Sequence, residues 1–505
     1  MNKAMKSTII LAIIMLVSKL SSFVRDIVLT NQYGASYISD AFLVSISVPT
    51  ILFSGIVSAL FTCYIPLYKE IKIKDIPRVN RFNSNVMTGV FLLSILFVMI
   101  YWSFDGSILR LFAVGFDDKT FLLAQNMTRI MTLSMLFMGI SYILQGYLQA
   151  NGSFYLVGAM TIPTNIIIAI SIGVSTEEKI MYMAWGTVIG YAIYILYFGV
   201  PAYIKGFRWY PYLNLKDEYI KKLLIMTVPI FVGQIMFEIN AMIDKSLAST
   251  LPEGSVTALD YAYKVATLVY GSVVAPISTI IYPKFSEDVI NDKIENVKVL
   301  LGKTLRVILI IIIPIVGGIV LLSEEVIKVL FFRGAFSLDA VKVTSEALII
   351  YAGCILPVSL RIICEKIFYA KKETKIPMIN SLVGIIINII LNLLLVKEFL
   401  HKGLALATTI SSVVTILLFM FSLYKKIGDF YLKRVILTGV KSILSCSVMC
   451  LILNRINEIW EVNNDWIKIL DNVLLGAMIY TIMMLLLKES MLYDIVYKIK
   501  KKKEN

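Results

Sequence analysis

The stretch GASYISDAF, residues 34–42, recurs later in the chain as GSVTALDYA, residues 254–262. Each copy places an aspartate six residues after its glycine. A second matching pair follows, IPLYKE at 65–70 and YPKFSE at 282–287, each with proline and glutamate four residues apart. Because the two pairs occur in the same order, they predict that the chain contains two copies of one helical unit.

The composition predicts a protein that lives in a membrane. Of its 505 residues, 58% are hydrophobic and 16% are charged, and the mean hydropathy is +0.82. Soluble domains are nearer 45–50% apolar and about 25% charged. The five cysteines lie in apolar runs without metal-ligand spacing. The lysine-rich end favours an anchor at anionic lipid over nucleic-acid binding, so we expect no nucleic-acid partner.

About fourteen apolar stretches are each long enough to cross ~30 Å of hydrocarbon. Six of these helices separate the two copies of the repeat, and an even number predicts a parallel repeat about an axis along the membrane normal. The predicted fold class is an all-α polytopic membrane protein with two six-helix lobes, related by a parallel pseudo-twofold repeat, and two extra C-terminal helices. The stretches lie near 7–31, 38–66, 84–104, 121–148, 154–174, 180–203, 222–247, 258–283, 304–323, 340–369, 377–396, 402–424, 435–454 and 468–487.

This pattern predicts four regions: an N-terminal lobe (1–210), a C-terminal lobe (211–430), helices 13 and 14 (431–490) and a basic tail (491–505). Lysine and arginine are concentrated in alternate loops, which predicts that both termini are cytoplasmic. No small-residue cleavage site follows the first apolar stretch, so we interpret it as an uncleaved helix. Transporters of this build hold their substrate between the lobes and expose it alternately to each side.

Sequence signals of an enzyme are nearly absent. The single histidine, His401, lies in KEFLHKG, which we interpret as a short external loop. No nucleophile elbow, phosphate-binding glycine loop or metal-binding cluster occurs. The sequence therefore predicts transport rather than catalysis.

Charged residues inside the apolar stretches are the main functional signal. SKLSSFVRD, residues 18–26, carries Lys19, Arg25 and Asp26 within the first predicted helix. A charge at the centre of a membrane helix costs roughly 2.5–3.5 kcal/mol, so such residues usually face a cavity or a partner. Asp40 begins the second predicted helix, and Lys264 lies on the eighth. Cations in both lobes suit an anionic substrate, because arginine binds phosphate through two donors and lysine through a point charge.

A structural interpretation of the same charges stays open. Lys19 and Arg25 could form interior salt bridges with Asp26 and Asp40. This interpretation fits Lys264 less well, because its nearest acid, Asp260, is also needed near the external end of the helix.

A second group of residues is rich in oxygen atoms. Asp244 lies on the seventh predicted helix, Asn388 and Asn392 share one face of the eleventh, and Thr408 lies on the twelfth. A carboxylate, two amide carbonyls and a hydroxyl are hard ligands of the kind that Na⁺ prefers, by analogy with other hard cations. Asparagine pairs in membrane helices also serve as hydrogen-bonding contacts between helices, so both interpretations stay open.

Several stretches together resemble one family, the MurJ-type lipid II flippases of the multidrug/oligosaccharidyl-lipid/polysaccharide exporter superfamily. They are SKLSSFVRDIVLTNQYGASYISDAFLVSISVP, IDKSLASTLPEGSVTALDYAYKVATLVYG, LFFRGAFS, FYAKKETKIPMINSLVGIIINIILNLLLV and GLALATTISS. The resemblance spans helices 1 to 12 in order. It implies a fourteen-helix, two-lobe fold that moves lipid II from the inner to the outer leaflet. It also implies a groove at helices 13 and 14 for the undecaprenyl tail.

The resemblance also implies site residues. Arg25 and Asp26 match the family's Arg-Asp pair, Asp40 matches the aspartate of helix 2, and Lys19 and Lys264 stand where arginine is usual. Together these five form the predicted substrate-binding set. The implied sodium site comprises Asp244, Asn388, Asn392, Thr408 and the carbonyl of Leu404. Asn392 falls where some members carry aspartate, which leaves one fewer negative ligand.

The largest departure from the family pattern is on helix 2. After the Val-Pro pair the family typically has two arginines, whereas this chain has Phe53 and Ser54. Lysine still supplies charge, so an anionic lipid-linked substrate is retained. Lipid II is the predicted substrate, and another undecaprenyl-linked oligosaccharide or polysaccharide unit is the alternative. A cation-coupled drug exporter is a third candidate, although it would favour an acidic or aromatic cavity.

The resemblance places the chain in the bacterial cytoplasmic membrane. We expect lipid II and membrane lipids as partners and a monomer as the working form. We expect no cofactor apart from Na⁺ as a coupling ion.

Overall fold

The computed structural model describes residues 3–371, 373–460, 462, 464–491 and 493. Every regular element in these ranges is a helix, as the sequence predicts. Most of the predicted basic tail, 491–505, lies outside the described residues. The helices are α1 Lys3–Tyr33, α2 Tyr37–Lys74, α3 Arg78–Ser103, α4 Asp105–Phe112, α5 Asp118–Met131, α6 Ser134–Ala150, α7 Phe154–Gly158, α8 Thr161–Gly173, α9 Tyr182–Ile204, α10 Glu218–Ala248, α11 Ser255–Ile290, α12 Ile294–Leu321, α13 Ser323–Phe331, α14 Leu338–Ala370, α15 Lys375–Ile427, α16 Leu432–Ile459 and α17 Asp465–Leu486.

Fewer helices are long and apolar enough to count as membrane spans than the sequence predicts. Within the described residues, 11 helices are long and apolar enough to cross a membrane, or up to 12 if the bent pair α5 and α6 is one span. Helix α15 has 53 residues and contains a non-helical residue, Leu400, so it is long enough for two crossings. Helix α1 is also long, at 31 residues. The count of fourteen therefore stays a prediction.

Two regions show how the helices are interrupted. The predicted span 121–148 consists of two helices, α5 and α6, bent by 43°. The two predicted spans 377–396 and 402–424 correspond to the two halves of α15, which meet at a kink at the non-helical residue Leu400. His401, predicted to lie in a short loop, directly follows this kink as the first residue of the second half of α15, and its Nε2 atom lies 3.4 Å from Oε2 of Glu346. A single residue with positive φ, Leu400 at 51°, changes the chain direction where a loop was expected.

The chain divides into two compact units. Unit 1 comprises Met1–Thr257 and Arg333–Ser337. There α2 packs against α5, α6 and α10, and α8 packs between α1 and α9. Unit 2 comprises Ala258–Phe332 and Leu338–Asn505, where α14 packs against α12 and α15, and α12 packs against α16. The predicted lobe boundaries at residues 210 and 430 stay a prediction.

The repeat is visible in two corresponding helices. Helix α2 has 38 residues and α11 has 36, and each begins just after the repeated glycine. Each also contains a proline toward its C-terminal end, Pro66 in α2 and Pro283 in α11. The sequence repeat therefore corresponds to two long helices with similar interruptions.

A buried ion cluster joins the C-terminal helix pair to α12 within unit 2. Glu489, only 2% exposed, forms an ion pair with Arg306 of α12, and its carboxylate lies 3.5 Å from Nζ of Lys441 on α16. Burial raises the pKa of Glu489, but hydrogen bonds from Arg306 and Thr438 and the two positive charges outweigh burial, so the pKa lies below its ordinary value. The cluster fixes the segment that follows α17 against α12 and α16. The predicted lipid-tail groove at these helices stays a prediction.

Candidate functional site

The Arg-Asp pair of α1 is buried within unit 1. The Nη2 atom of Arg25 lies 2.8 Å from Oδ1 of Asp26, and Nε donates to the same oxygen at 3.1 Å. The Nη1 atom donates to Oδ1 of Asn165 on α8 at 3.2 Å, and the Asn165 amide donates to Ser21. The side chain of Arg25 is 15% exposed and that of Asp26 is 1% exposed. A guanidinium so placed is fixed in direction by two helices and keeps part of its surface accessible.

Lys19 lies apart from this pair. It is exposed, and no ion pair joins it to Asp26 or Asp40 in the part of the chain that the structure describes. The structure therefore assembles Arg25 and Asp26 but does not bring Lys19 or Asp40 into the same ion pair. Direct contact of Lys19 with substrate stays a prediction.

Asp40 binds the N-terminus of α11. Its Oδ2 atom accepts from the backbone N–H of Gly254 at 2.7 Å, and Oδ1 accepts from the N–H and the hydroxyl of Thr257 at 2.8 and 2.5 Å. The residue is 3% exposed. A carboxylate here satisfies donors that a helix N-terminus leaves open and interacts favourably with the helix dipole. Asp40 thus acts as a cap supplied from a distant helix.

Asp40 binds one of three interlocking segments, 31–37, 251–257 and 333–337, which we call the three-loop latch. The backbone N–H of Ala335 donates to the carbonyl of Asn31 at 3.0 Å, and that of Tyr37 donates to Glu253 at 2.8 Å. Gly34 has φ of +62°, and a Cβ atom there would lie 2.3 Å from the carbonyl oxygen of Ala335. Glycine is required at this position because the backbones approach so closely.

Lys264 forms an ion pair within its own helix. Its Nζ atom lies 2.6 Å from Oδ2 of Asp260, one turn earlier in α11. The salt-bridge interpretation, which fits Lys264 less well in the sequence, thus has a partner in Asp260, because a spacing of four residues places the two side chains on one helix face. The side chains are 25% and 23% exposed, so the pair stays accessible.

Four of the five predicted sodium ligands meet in unit 2. The amide of Asn392 donates to Oδ1 of Asn388 at 3.0 Å, and the amide of Asn388 lies 3.4 Å from the Thr408 hydroxyl. The Thr408 hydroxyl donates to the carbonyl of Leu404 at 3.1 Å. Asn388, Asn392 and Leu404 are all buried. The oxygen atoms of this cluster are of the type that fits a small hard cation.

Asp244, the fifth predicted ligand and the one carboxylate of the set, lies on α10 in unit 1. It accepts a hydrogen bond from Asn240 at 3.2 Å. No group of three or more histidine, cysteine, aspartate or glutamate side chains placed to hold a metal ion occurs among the described residues. A sodium site here would depend on neutral oxygen atoms and a single acid.

The sequence interpretation missed two charged positions. Ser54, at one of the positions where the resemblance predicts arginine, donates a hydrogen bond of 2.9 Å to Glu238 of α10. The neighbouring Phe53 is fully buried, with its ring centroid 5.6 Å from that of Phe97. In unit 2, the Nε atom of Arg361 on α14 lies 3.4 Å from Oε1 of Glu365. A lone acid or base within an apolar stretch is the signal that could have identified Glu238 and Arg361.

Long apolar helices and ionisable side chains buried between them define the class of this protein, a multi-pass helical membrane transporter. Solved structures with the same fold include an inward-facing multidrug resistance MATE family transporter of the MOP superfamily (TM-score 0.68, 13% identity, 83% of this chain and 99% of that chain). A structure of lipid II flippase MurJ in an inward closed conformation has a TM-score of 0.81 at 26% identity and covers 94% of this chain and 98% of that chain.

The sequence profile of the family described as Lipid II flippase MurJ matches residues 29–474. The chain belongs to this family. The lipid II flippase MurJ of Thermosipho africanus is 26% identical over 477 residues, 94% of this chain and 95% of the relative. The probable lipid II flippase MurJ of Buchnera aphidicola subsp. Schizaphis graminum is 28% identical over 429 residues, 84% of each chain.

Proposed function

We propose that this protein is a lipid II flippase, which moves the undecaprenyl-pyrophosphate-linked peptidoglycan precursor from the inner to the outer leaflet for cell-wall synthesis. The observation that carries this proposal is the match to lipid II flippases along 94% of the chain. The family is defined by transport, so we assign no catalytic residue. The working form is a monomer in the bacterial cytoplasmic membrane with both termini in the cytoplasm.

The diphosphate of the substrate is the group that most resists entry into the membrane. Arg25 would neutralise it through a guanidinium that Asp26 and Asn165 hold in one direction. Lys264 would add a second positive charge, and exchange of Asp260 for phosphate would release it from its helix partner. Desolvation then costs less, because each substrate charge meets an opposite charge that the fold already holds in place.

The three-loop latch is the element that we propose opens and closes. Asp40 stabilises the closed arrangement through three hydrogen bonds to Gly254 and Thr257. Separation of the loops would expose these donors to water, which can replace the carboxylate. In this account Asp40 controls access and does not itself bind the diphosphate.

Na⁺ is the coupling ion that we propose for the return step. Asn388, Thr408 and the carbonyl of Leu404 would hold it, with Asn392 orienting Asn388 and Asp244 supplying the negative charge. The oxygen atoms of these ligands would coordinate the bound cation, and the Asp244 carboxylate would balance its charge. With no second carboxylate in the set, affinity should depend strongly on Asp244.

Asp244→Asn should remove a sodium-specific stabilisation of the protein. A ligand present at 100 times its dissociation constant stabilises the folded state by roughly 2.7 kcal/mol, so NaCl should raise the melting temperature of the unaltered protein above that in choline chloride. The variant should lose at least about half of this difference. Asp471→Asn, which changes an exposed carboxylate on α17, should retain it. Equal melting temperatures in the two salts for the unaltered protein would show that the cluster only joins helices.

The proposed function is tested by rescue of a bacterium depleted of its own lipid II flippase. Expression of this protein should restore growth, and lipid II head groups should become accessible at the outer leaflet. Accessibility is measured with a head-group-modifying enzyme added outside the cells. Failure of rescue by a protein that is folded and inserted would contradict lipid II as substrate.

The Ser54–Glu238 contact favours one second candidate, a flippase for another undecaprenyl-linked glycan. It places an acid where the resemblance predicts two arginines, which lowers the positive charge available to a diphosphate. A head group with more hydrogen-bond donors or with an amine would suit Glu238 better. Rescue of a strain that lacks a different lipid-linked-oligosaccharide flippase, without rescue of the lipid II-depleted strain, would identify this candidate.

A further inference from the structure

A cavity of about 430 Å³ lies within unit 1, where the ends of α3 and α9 meet the bend between α5 and α6. It is distinct from the Arg25 site, the latch and the oxygen cluster, with which it shares no residue. Two tryptophans and an arginine dominate its lining. The lining residues are Trp102, Asn126, Arg129, Ile130, Leu133, Met181 and Trp185.

Three hydrogen-bond donors of this cavity have no hydrogen-bond acceptor in the described part of the chain. They are the guanidinium of Arg129, the amide of Asn126 and the indole N–H of Trp185. The nearest acid to Arg129 is Asp105, whose Oδ2 atom lies 3.9 Å from Nε, beyond hydrogen-bond distance. The Arg129 side chain is 59% exposed. The cavity therefore offers one positive charge and several donors to a ligand that brings acceptors.

The second indole ring is fixed in place by the bend. The Nε1 atom of Trp102 donates to the carbonyl of Arg129 at 3.1 Å and lies 3.2 Å from the hydroxyl of Thr132. The carbonyl of Arg129 is available because the break between α5 and α6 directs the N–H of Leu133 to Ile130 instead. Trp102 thus forms a rigid wall of the cavity rather than a mobile surface ring.

Apolar side chains continue from the cavity along the outer faces of α3 and α9. Leu96 and Met99 on α3 are 48% and 55% exposed, and Ile189 on α9 is 56% exposed. Since the helices are long enough to cross the membrane, these faces suit hydrocarbon chains. Tryptophan and arginine at the end of such a face are typical of the level of lipid head groups.

We propose that this cavity binds an anionic glycerophospholipid. Its phosphodiester would accept from Arg129, with Asn126 and the Trp185 N–H as further donors, and its acyl chains would follow α3 and α9. Charge complementarity favours an anionic over a zwitterionic lipid, because the lining holds a cation and no carboxylate. Asp105 does not line the cavity, and its Oδ2 atom faces Nε of Arg129 at 3.9 Å. The proposal does not depend on the identity of the transported substrate.

Quenching of tryptophan fluorescence by brominated lipids tests the proposal on the full chain. Trp209, Trp460 and Trp466, all exposed and outside the cavity, are replaced by phenylalanine so that Trp102 and Trp185 report alone. The protein is placed in phosphatidylcholine vesicles, and dibrominated phosphatidylglycerol or dibrominated phosphatidylcholine is added. One basic residue near the surface should favour the anionic lipid by roughly fivefold. Quenching should therefore reach half its maximum at a roughly fivefold lower fraction of phosphatidylglycerol.

Arg129→Gln should reduce this ratio to about one, because it keeps the polar side chain and removes the charge. The matched control is Arg110→Gln on α4, whose guanidinium lies over the ring of Phe121 and does not line the cavity. It should leave the ratio unchanged. Equal quenching by both lipids, or the same loss in both variants, would overturn the proposal. So would displacement of the brominated phosphatidylglycerol by an equal fraction of undecaprenyl phosphate, which would assign the cavity to the transported lipid instead.

Discussion

Arg25→Ala is expected to reduce lipid transport by at least about tenfold while the protein remains inserted in the membrane. A hydrogen bond to a charged group contributes about 1.5–3 kcal/mol, and 1.4 kcal/mol corresponds to a factor of ten. Loss of the guanidinium removes such bonds from the substrate at the point where its diphosphate leaves water. Transport is measured as lipid II head group that becomes accessible at the outer leaflet. Arg455→Ala, which removes a 79% exposed arginine, should have no effect.

Arg25→Ala also leaves the Asp26 carboxylate without its arginine partner, and breaking a buried ion pair costs about 3–5 kcal/mol. A second variant separates this structural cost from the loss of substrate binding. Arg25→Ala combined with Asp26→Asn removes both charges and so restores neutrality at the buried position. The double variant should regain thermal stability but stay inactive. Recovery of transport in the double variant would show that Arg25 serves only to neutralise Asp26.

Helix type and order could be predicted from the sequence because a membrane imposes a simple rule of apolar length. The bend between α5 and α6 could not be predicted. The segment between these helices contains no proline or glycine, and its break is stabilised in part by Trp102 from another helix. The break at Leu400 falls between the two predicted spans 377–396 and 402–424, within the polar sequence KEFLHK, and one residue with positive φ makes it. A polar interruption is visible in the sequence, whereas a bend held by a distant side chain is not.

Among the site residues, contacts between neighbours in the sequence could be predicted, whereas contacts between distant residues could not. Arg25 and Asp26 are adjacent, and Asn388 and Asn392 are one helical turn apart, so both contacts could be predicted from spacing. The partners of Asp40 lie 214 and 217 residues away and are largely backbone N–H groups, which have no sequence signal. The contact of Glu238 with Ser54 also joins distant residues, 184 positions apart, so the sequence could mark the acid but not its partner.

Asp40→Ala should open the three-loop latch. The variant removes three hydrogen bonds to a buried carboxylate and leaves the N–H groups of Gly254 and Thr257 without an acceptor. Loss of even one charge-assisted bond, about 1.5–3 kcal/mol, should raise the open population roughly tenfold or more. A cysteine introduced as Ala35→Cys, close to Gly254, reports this through its rate of reaction with a membrane-impermeant maleimide. Background should be low, because four of the five native cysteines are buried and Cys450 is only partly exposed.

Asp118→Ala on α5 is the matched control for this effect. It makes the same chemical change at an exposed aspartate and should leave the labelling rate unchanged. Faster labelling together with reduced transport in Asp40→Ala would mean that Asp40 holds the latch closed and that transport needs this closed state. Reduced transport at an unchanged labelling rate would instead place Asp40 among the groups that bind substrate, as the family resemblance implies. Normal labelling and normal transport would contradict both roles, and the three hydrogen bonds would then only fix the start of α11.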